Sequence, residues 1–315
     1  ALEILTLAII STLLSTLLVA LATYELIQGF NVLFNIHFNL SWIGCLLFGA
    51  LISPTDPIAV LATLKSMEAP RSISTKMAGE SLFNDGVGIV IFLSIYQLAY
   101  SPHLTLSVKQ ISSLFATQAL GGLAFGLLLG WVTQQLITHT DSKKTHILIT
   151  LALVTGGYTT ARYIGVSGPL AMVVLGMMLN LKTKNYRLPA LSKTALNQFW
   201  EIIDELLNIV LFCLLGAELL VLTLSVQSLF MMCLIIPIVL CIRWITVSLP
   251  IHGLGLFARQ HPHTIEVLVW GGLRGGLAVA LALSLPSDSP DREMILLLTY
   301  AVVVFSILVQ GSTVP

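Results

Sequence analysis
Residues 46–62 read LLFGALISPTDPIAVLA. The stretch lies inside an apolar block, 42–64, that is long enough to cross a bilayer. Pro54 and Pro57 interrupt it. A proline removes one backbone donor and clashes with the preceding turn, so two of them three residues apart open the helix around 53–57. The freed carbonyls then sit beside Thr55 and Asp56. Irregular backbone at membrane depth is tolerated only where it lines a cavity or is buried in protein. A carboxylate there is costly and needs a function or a partner. Interrupted helices of this kind mark ion and substrate sites in secondary transporters.

The rest of the chain has the same character. Its 315 residues are 56% hydrophobic and 10% charged, with mean hydropathy +0.94. Soluble domains carry about 25% charged residues, so a water-soluble fold is excluded. Apolar blocks fall near 4–27, 42–64, 77–100, 111–138, 146–164, 166–181, 199–223, 228–251, 267–285 and 293–314. Many have the roughly 17–25 residues that span a hydrocarbon core. Polar connections are short, at 65–76, 139–145, 182–198, 252–266 and 286–292, so residues 1–315 read as one all-α membrane domain. The first block starts at Ala1 and the last is still apolar at Pro315, so both ends of a longer protein are expected to be missing.

Basic residues place the loops containing Lys65, Arg71 and Lys76, and Lys143 and Lys144, on the cytoplasmic side. Lys182, Lys184, Arg187 and Lys193 are inside as well only if 146–181 crosses twice. That region, divided by Gly165, Ser167, Gly168 and Pro169, is either two helices or one broken helix. A second, weaker interruption is expected in the final span at Gln310-Gly311-Ser312. One early and one late interruption fit an inverted repeat. The repeat requires a single net crossing of 146–181, in conflict with the basic loops.

The third span, KMAGESLFNDGVGIVIFLSIYQ at 76–97, carries charge. Helical spacing puts Glu80 with Asn84 on one side and Ser81 with Asp85 on the adjacent side. Each carboxylate at the bilayer centre costs about 2.5–3.5 kcal/mol on insertion scales, so a cation, a proton or a basic partner must compensate. Arg274 is the only charge among residues 267–285, and Gly271, Gly272, Gly275 and Gly276 flank it. Glycines permit close helix approach. A buried Glu80–Arg274 pair is therefore expected, leaving Asp85 to titrate. Arg162 and Arg243 are read as lying near helix ends, where they snorkel.

Other polar residues carry less. Glu201, Asp204 and Glu205 open the 199–223 span, where acids suit a helix N-terminus, and are read first as an interfacial, solvated cluster. His37, His103, His139, His146, His252, His261 and His263 lie in or beside loops. Cys45, Cys213, Cys233 and Cys241 are scattered singly, without disulfide or zinc spacing. Zero net charge gives no nucleic-acid footprint. An intramembrane aspartyl protease could in principle face Asp56 against Asp85, but no G-x-G-D-type context surrounds either, and Arg274 has no role in it.

SPTDPIAVLA (53–62), GESLFNDGVGIV (79–90), FWEIIDELLNIVLFCLLGAEL (199–219) and WGGLRGGLAVALAL (270–283) together resemble the NhaP/NHE-type monovalent cation:proton antiporters. The resemblance runs in order over nearly the whole chain. It implies an inverted-repeat antiporter fold with discontinuous crossing helices, here without its first few helices and its last. It makes Asp85 the carboxylate that takes cation or proton, with Asp56, Thr55, Ser81 and Asn84 around it. Asp85, Ser81 and Thr55 would ligate Na⁺, and Glu80 and Arg274 would form the structural ion pair. Asn before Asp in the motif implies electroneutral exchange. A further acidic ligand on a missing N-terminal helix would have no counterpart here.

These readings converge on a multi-pass protein of the plasma (inner) membrane, not an enzyme. Its expected activity is exchange of Na⁺, Li⁺ or K⁺ for H⁺ in pH homeostasis. Cation and proton are transported, no resident cofactor is expected, and the resemblance implies a homodimer. The alternative is a cation channel or another cation-coupled transporter. A channel would give uncoupled current.

Overall fold
The computed structural model describes residues 2–34, 38–56, 71–100, 108–180, 190–219, 225–253 and 264–313. Among these residues eleven α-helices occur: α1 (Leu2–Phe34), α2 (Trp42–Ile52), α3 (Arg71–Tyr100), α4 (Val108–Thr138), α5 (Lys143–Tyr163), α6 (Gly168–Asn180), α7 (Ala190–Leu219), α8 (Val226–Gly253), α9 (Thr264–Trp270), α10 (Gly276–Leu283) and α11 (Arg292–Phe305). A π-helical turn, Ser306–Gln310, continues α11. Among the described residues five segments are long and apolar enough to cross a membrane: Thr6–Phe34, Met77–Tyr100, Ser113–Thr138, Val226–Gly253 and Arg292–Gln310. The chain divides into two compact units, Ala1–Gly88 with Leu211–Pro315, and Ile89–Val210.

In the first unit α2 packs closely on α1. Gly49 of α2 lies so near the Thr16 carbonyl of α1 that a Cβ would collide with it. The buried stripe of α1 includes Ala8, Ser11, Thr12, Ser15, Thr16, Val19, Ala20 and Thr23, small residues at helical spacing that admit a second backbone. Thr12 and Thr16 return their hydroxyls to carbonyls one turn earlier, at 2.6 and 2.8 Å. Leu7 joins Met77, Val247, Ile251, Leu268, Val269 and Leu273 in an apolar cluster built from α1, α3, α8, α9 and the chain after α9.

Helix α2 has 11 residues, about 16 Å of rise, or half a bilayer. It stops at Ser53, because Pro54 cannot continue the backbone ladder. Pro57 and the remainder of the apolar block to residue 64 lie outside the described residues, as do Lys65 and the histidine pair His261 and His263. Helices α9 and α10 have 7 and 8 residues, and residues 271–275 between them are non-helical. The two interruptions meet: the Asp56 N–H donates to the Leu273 carbonyl at 2.7 Å, in an isolated antiparallel bridge.

A late interruption, inside the block read as one span over 267–285, lies at 271–275; at Gln310-Gly311-Ser312 the last helical run ends as well, in a turn at 311–312. Gly271, Gly272, Gly275 and Gly276 are where the helix ends and restarts. Glycine in a helix interior costs about 1 kcal/mol relative to alanine, and here four of them fall within six residues. The last span instead runs on through α11 into the π-turn, closed by the Gly311 N–H on the Ser306 carbonyl at 2.8 Å.

In the second unit α4 packs on α6 through Gly122, Gly126 and Gly130. A Cβ on Gly126 would stand 2.6 Å from the Ala171 carbonyl oxygen, so bulk is excluded there. The stretch 146–181 is two helices. Gly165, at φ +78°, makes the turn in the left-handed region that favours glycine. The chain then folds back, so that Gly157 of α5 faces Met172 of α6 and Tyr158 faces Gly168. Glu201, Asp204 and Glu205 are exposed on α7, consistent with a solvated cluster.

Candidate functional site
The site forms where α3 passes the first interruption, inside the first unit. Proline and the lost helical ladder leave Thr55 with backbone groups that α2 cannot satisfy, and α3 supplies the replacements. Asn84 clamps Thr55 from both sides. Its Oδ1 accepts the Thr55 main-chain N–H at 3.3 Å, and its Nδ2 donates to the Thr55 hydroxyl at 2.8 Å. One turn earlier, the Ser81 hydroxyl donates to the Thr55 carbonyl. Gly88 lets α3 lie directly on the Pro54 ring. Glu80, Ser81, Asn84 and Thr55 are all 1–2% exposed.

Glu80 is bound by Arg243, not by Arg274. The guanidinium of Arg243, on α8, donates from both terminal nitrogens to the two carboxylate oxygens at 3.0 Å each. The same carboxylate accepts from Asn84 Nδ2 at 3.1 Å, and Arg243 also donates to the Leu268 carbonyl on α9 at 3.2 Å. Arg243 is 3% exposed, so its side chain is buried and does not snorkel. It stands ten residues before the end of α8, at Gly253, or about 15 Å at 1.5 Å per residue. The depth of this residue within its span was the available signal, and the expectation of a snorkelling side chain overlooked it.

Arg274 serves the interruptions themselves. Its Nη1 donates to the Pro54 and Gly272 carbonyls, each at 3.3 Å. It thus places a positive charge where both helices have released carbonyls. A Cβ on Gly275 would stand 2.5 Å from the Asp56 carboxylate, so the Asp56 side chain packs directly on the backbone at the start of α10.

Asp85 shares the face of Ser81, one turn along, and is half-buried. Asp56, Glu80 and Arg274 are the charges that act on it. Among the described residues its carboxylate makes no hydrogen bond and no ion pair. The predicted set therefore separates by task. Asn84 and Ser81 hold the interrupted backbone, Glu80 ties Asn84 to Arg243, Asp56 packs against the second interruption, and Asp85 is left without a hydrogen bond or ion pair among the described residues.

A family model described as "Sodium/hydrogen exchanger, transmembrane" matches residues 1–315. The chain is 45% identical over 283 residues to a Na⁺/H⁺ antiporter NhaP of Pseudomonas aeruginosa, covering 88% of this chain and 66% of that protein. It is 36% identical over 309 residues to a Na⁺/H⁺ antiporter NhaH of Halobacillus aidingensis, covering 98% and 73%. The chain thus spans about two thirds to three quarters of these relatives. The solved structure of the sodium proton antiporter MjNhaP1 of Methanocaldococcus jannaschii superposes with TM-score 0.74 at 21% identity, covering 99% of this chain and 77% of that one. That likeness identifies the fold.

Proposed function
Because the chain belongs to the sodium/hydrogen exchanger family, a family of multi-pass membrane transporters, we propose that it exchanges Na⁺, or Li⁺ or K⁺, for H⁺ across its membrane at Asp85. The observation that carries this reading is the half-buried Asp85 carboxylate, without a hydrogen bond or ion pair among the described residues, beside a helix interruption. A carboxylate in that position must be neutralised, by a proton or by a small cation. The two exclude each other because they neutralise the same charge.

Hard oxygen donors suit a small monovalent cation. Asp85 supplies the charge, with the Ser81 and Thr55 oxygens and the Asp56 carboxylate as the neighbouring donors. Asn84 positions Thr55 and does not itself take the ion. Access changes sides only when Asp85 is neutral, loaded with one cation or one proton. The cycle then moves one cation against one proton, carries no net charge and needs no ATP. Movement of the site-bearing helices against a scaffold provides the change of access.

The test is exchange in proteoliposomes, read by dequenching of a pH-sensitive dye on adding each cation in turn. Asp85→Asn is expected to abolish it. Retained exchange in that variant overturns the assignment, and a cation current without proton counterflux overturns the coupling.

A further inference from the structure
The first interruption has its replacement hydrogen bonds supplied by α3. The second has an equivalent supplier, at the end of α11. The main-chain N–H of Arg274 donates to the Ser306 hydroxyl at 2.8 Å. The Trp270 carbonyl, the last of α9, accepts from Gln310 Nε2 at 3.2 Å. The Trp270 indole N–H donates to the Thr313 hydroxyl at 3.2 Å. Ser306 and Gln310 are 0% and 3% exposed, while Ile307, Leu308 and Val309 between them are exposed at 36%, 66% and 40%. One polar face thus turns inward, and it turns towards the orphaned backbone. The parallel with Ser81 and Asn84 is chemical: a hydroxyl and a carboxamide, about one turn apart, each satisfy an interrupted helix.

The turn that presents them is π-helical, a rare geometry concentrated at functional sites. Gly311 closes it, and a Cβ there would stand 2.5 Å from the Ile307 carbonyl oxygen. The turn therefore depends on glycine at 311. Arg274, which it holds by the main chain, is the residue whose guanidinium reaches the Pro54 carbonyl of the first interruption.

We infer that Ser306 and Gln310, presented by this π-turn, are positioning residues of the exchange site: they fix the second interruption, and Arg274 with it, against the first. This inference rests on the exchange reading above. Neither side chain is assigned contact with the transported ion. Ser306 acts through Arg274, and Gln310 through Trp270.

The experiment is Na⁺-driven exchange in proteoliposomes by Ser306→Ala, Ser306→Thr, Gln310→Met and Gly311→Ala, with thermal unfolding of each purified protein in detergent. Loss of one such hydrogen bond is expected to raise the apparent KM for Na⁺ about fivefold, with the maximal rate per folded molecule preserved. Ser306→Thr, which retains the hydroxyl, should restore the parental KM. Gly311→Ala opens the turn without removing either side chain and should also raise KM. A purely structural role lowers the folded yield or the unfolding temperature and leaves KM unchanged, and that result overturns the inference. So does an Ala variant at 306 that matches the parent in KM. A parent chain that does not exchange at all sinks the exchange reading instead, which keeps the two failures distinct.

Discussion

Arg243 grips Glu80 through both terminal nitrogens, 3.0 Å to each carboxylate oxygen, with both side chains buried. The pair joins α8 to α3, and through Asn84 it reaches Thr55. Removing one partner of a buried pair leaves an uncompensated charge and costs about 3–5 kcal/mol. Arg243→Met should therefore lower the unfolding temperature strongly. Adding Glu80→Gln removes the stranded charge, so the double variant should recover part of the loss. Unfolding of both in detergent checks this. A double variant no more stable than Arg243→Met would mean that the pair is not coupled.

The same pair marks how far the sequence could be read. Pro54 announces its interruption directly, because a missing donor is a local property of one residue. The spacing of Glu80 with Asn84 and of Ser81 with Asp85 is equally local, and the helix keeps both pairs on adjacent faces. The partner of Glu80 is not local. It depends on which of two arginines, 163 or 194 residues downstream, is brought to α3 by packing. Arg274 drew the assignment because its glycines were read as sites of helix contact. Those glycines are instead the second break, and they place Arg274 on released carbonyls. The polar residues Gln310 and Ser306 were visible too. Their role was hidden because it is defined by the backbone groups they satisfy, which exist only once α9 has ended at Trp270.

Asn84 donates to both the Thr55 hydroxyl and the Glu80 carboxylate. Asn84→Asp loses both donated bonds and sets a second carboxylate beside Glu80. At about 1 kcal/mol per hydrogen bond, more where a charge is involved, the expected loss is about 2–4 kcal/mol. Asn84→Ala removes the two donated bonds and the accepted Thr55 N–H as well, without adding charge, and should also unfold below the parent. Variants as stable as the parent would show that the amide donors are not what holds Thr55 to α3.

Packing of α4 on α6 makes a different demand. Gly126 faces the Ala171 carbonyl and the Val174 side chain, and its missing Cβ would stand 2.6 Å from the carbonyl oxygen. Backbone cannot yield as a flexible side chain does. Gly126→Val should destabilise the second unit by about 1–3 kcal/mol, as overpacking does elsewhere. Gly156, beside which no atom lies within 4 Å of an added Cβ, is the control. Gly156→Ala should be neutral or slightly stabilising, since alanine is the better helix former. Comparable unfolding temperatures for Gly126→Val and the parent would refute the close approach.

Asp85 stands apart from this framework, and its removal should separate stability from transport. Asp56 and Glu80 act on it as like charges, while Arg274 opposes them. Asp85→Asn removes a half-buried charge and breaks no hydrogen bond or ion pair among the described residues. Its unfolding temperature should equal or exceed that of the parent, within about 0.5 kcal/mol or in the stabilising direction. The parent should show the complementary behaviour in transport. If one proton and one cation compete for one carboxylate, each tenfold rise in proton concentration on the cation side raises the apparent KM for Na⁺ up to tenfold. The maximal rate at saturating Na⁺ stays constant. Exchange measured in proteoliposomes, over a series of external pH values with internal pH fixed, gives both quantities. A KM independent of pH, with a maximal rate that falls as protons rise, would place proton and cation on different groups.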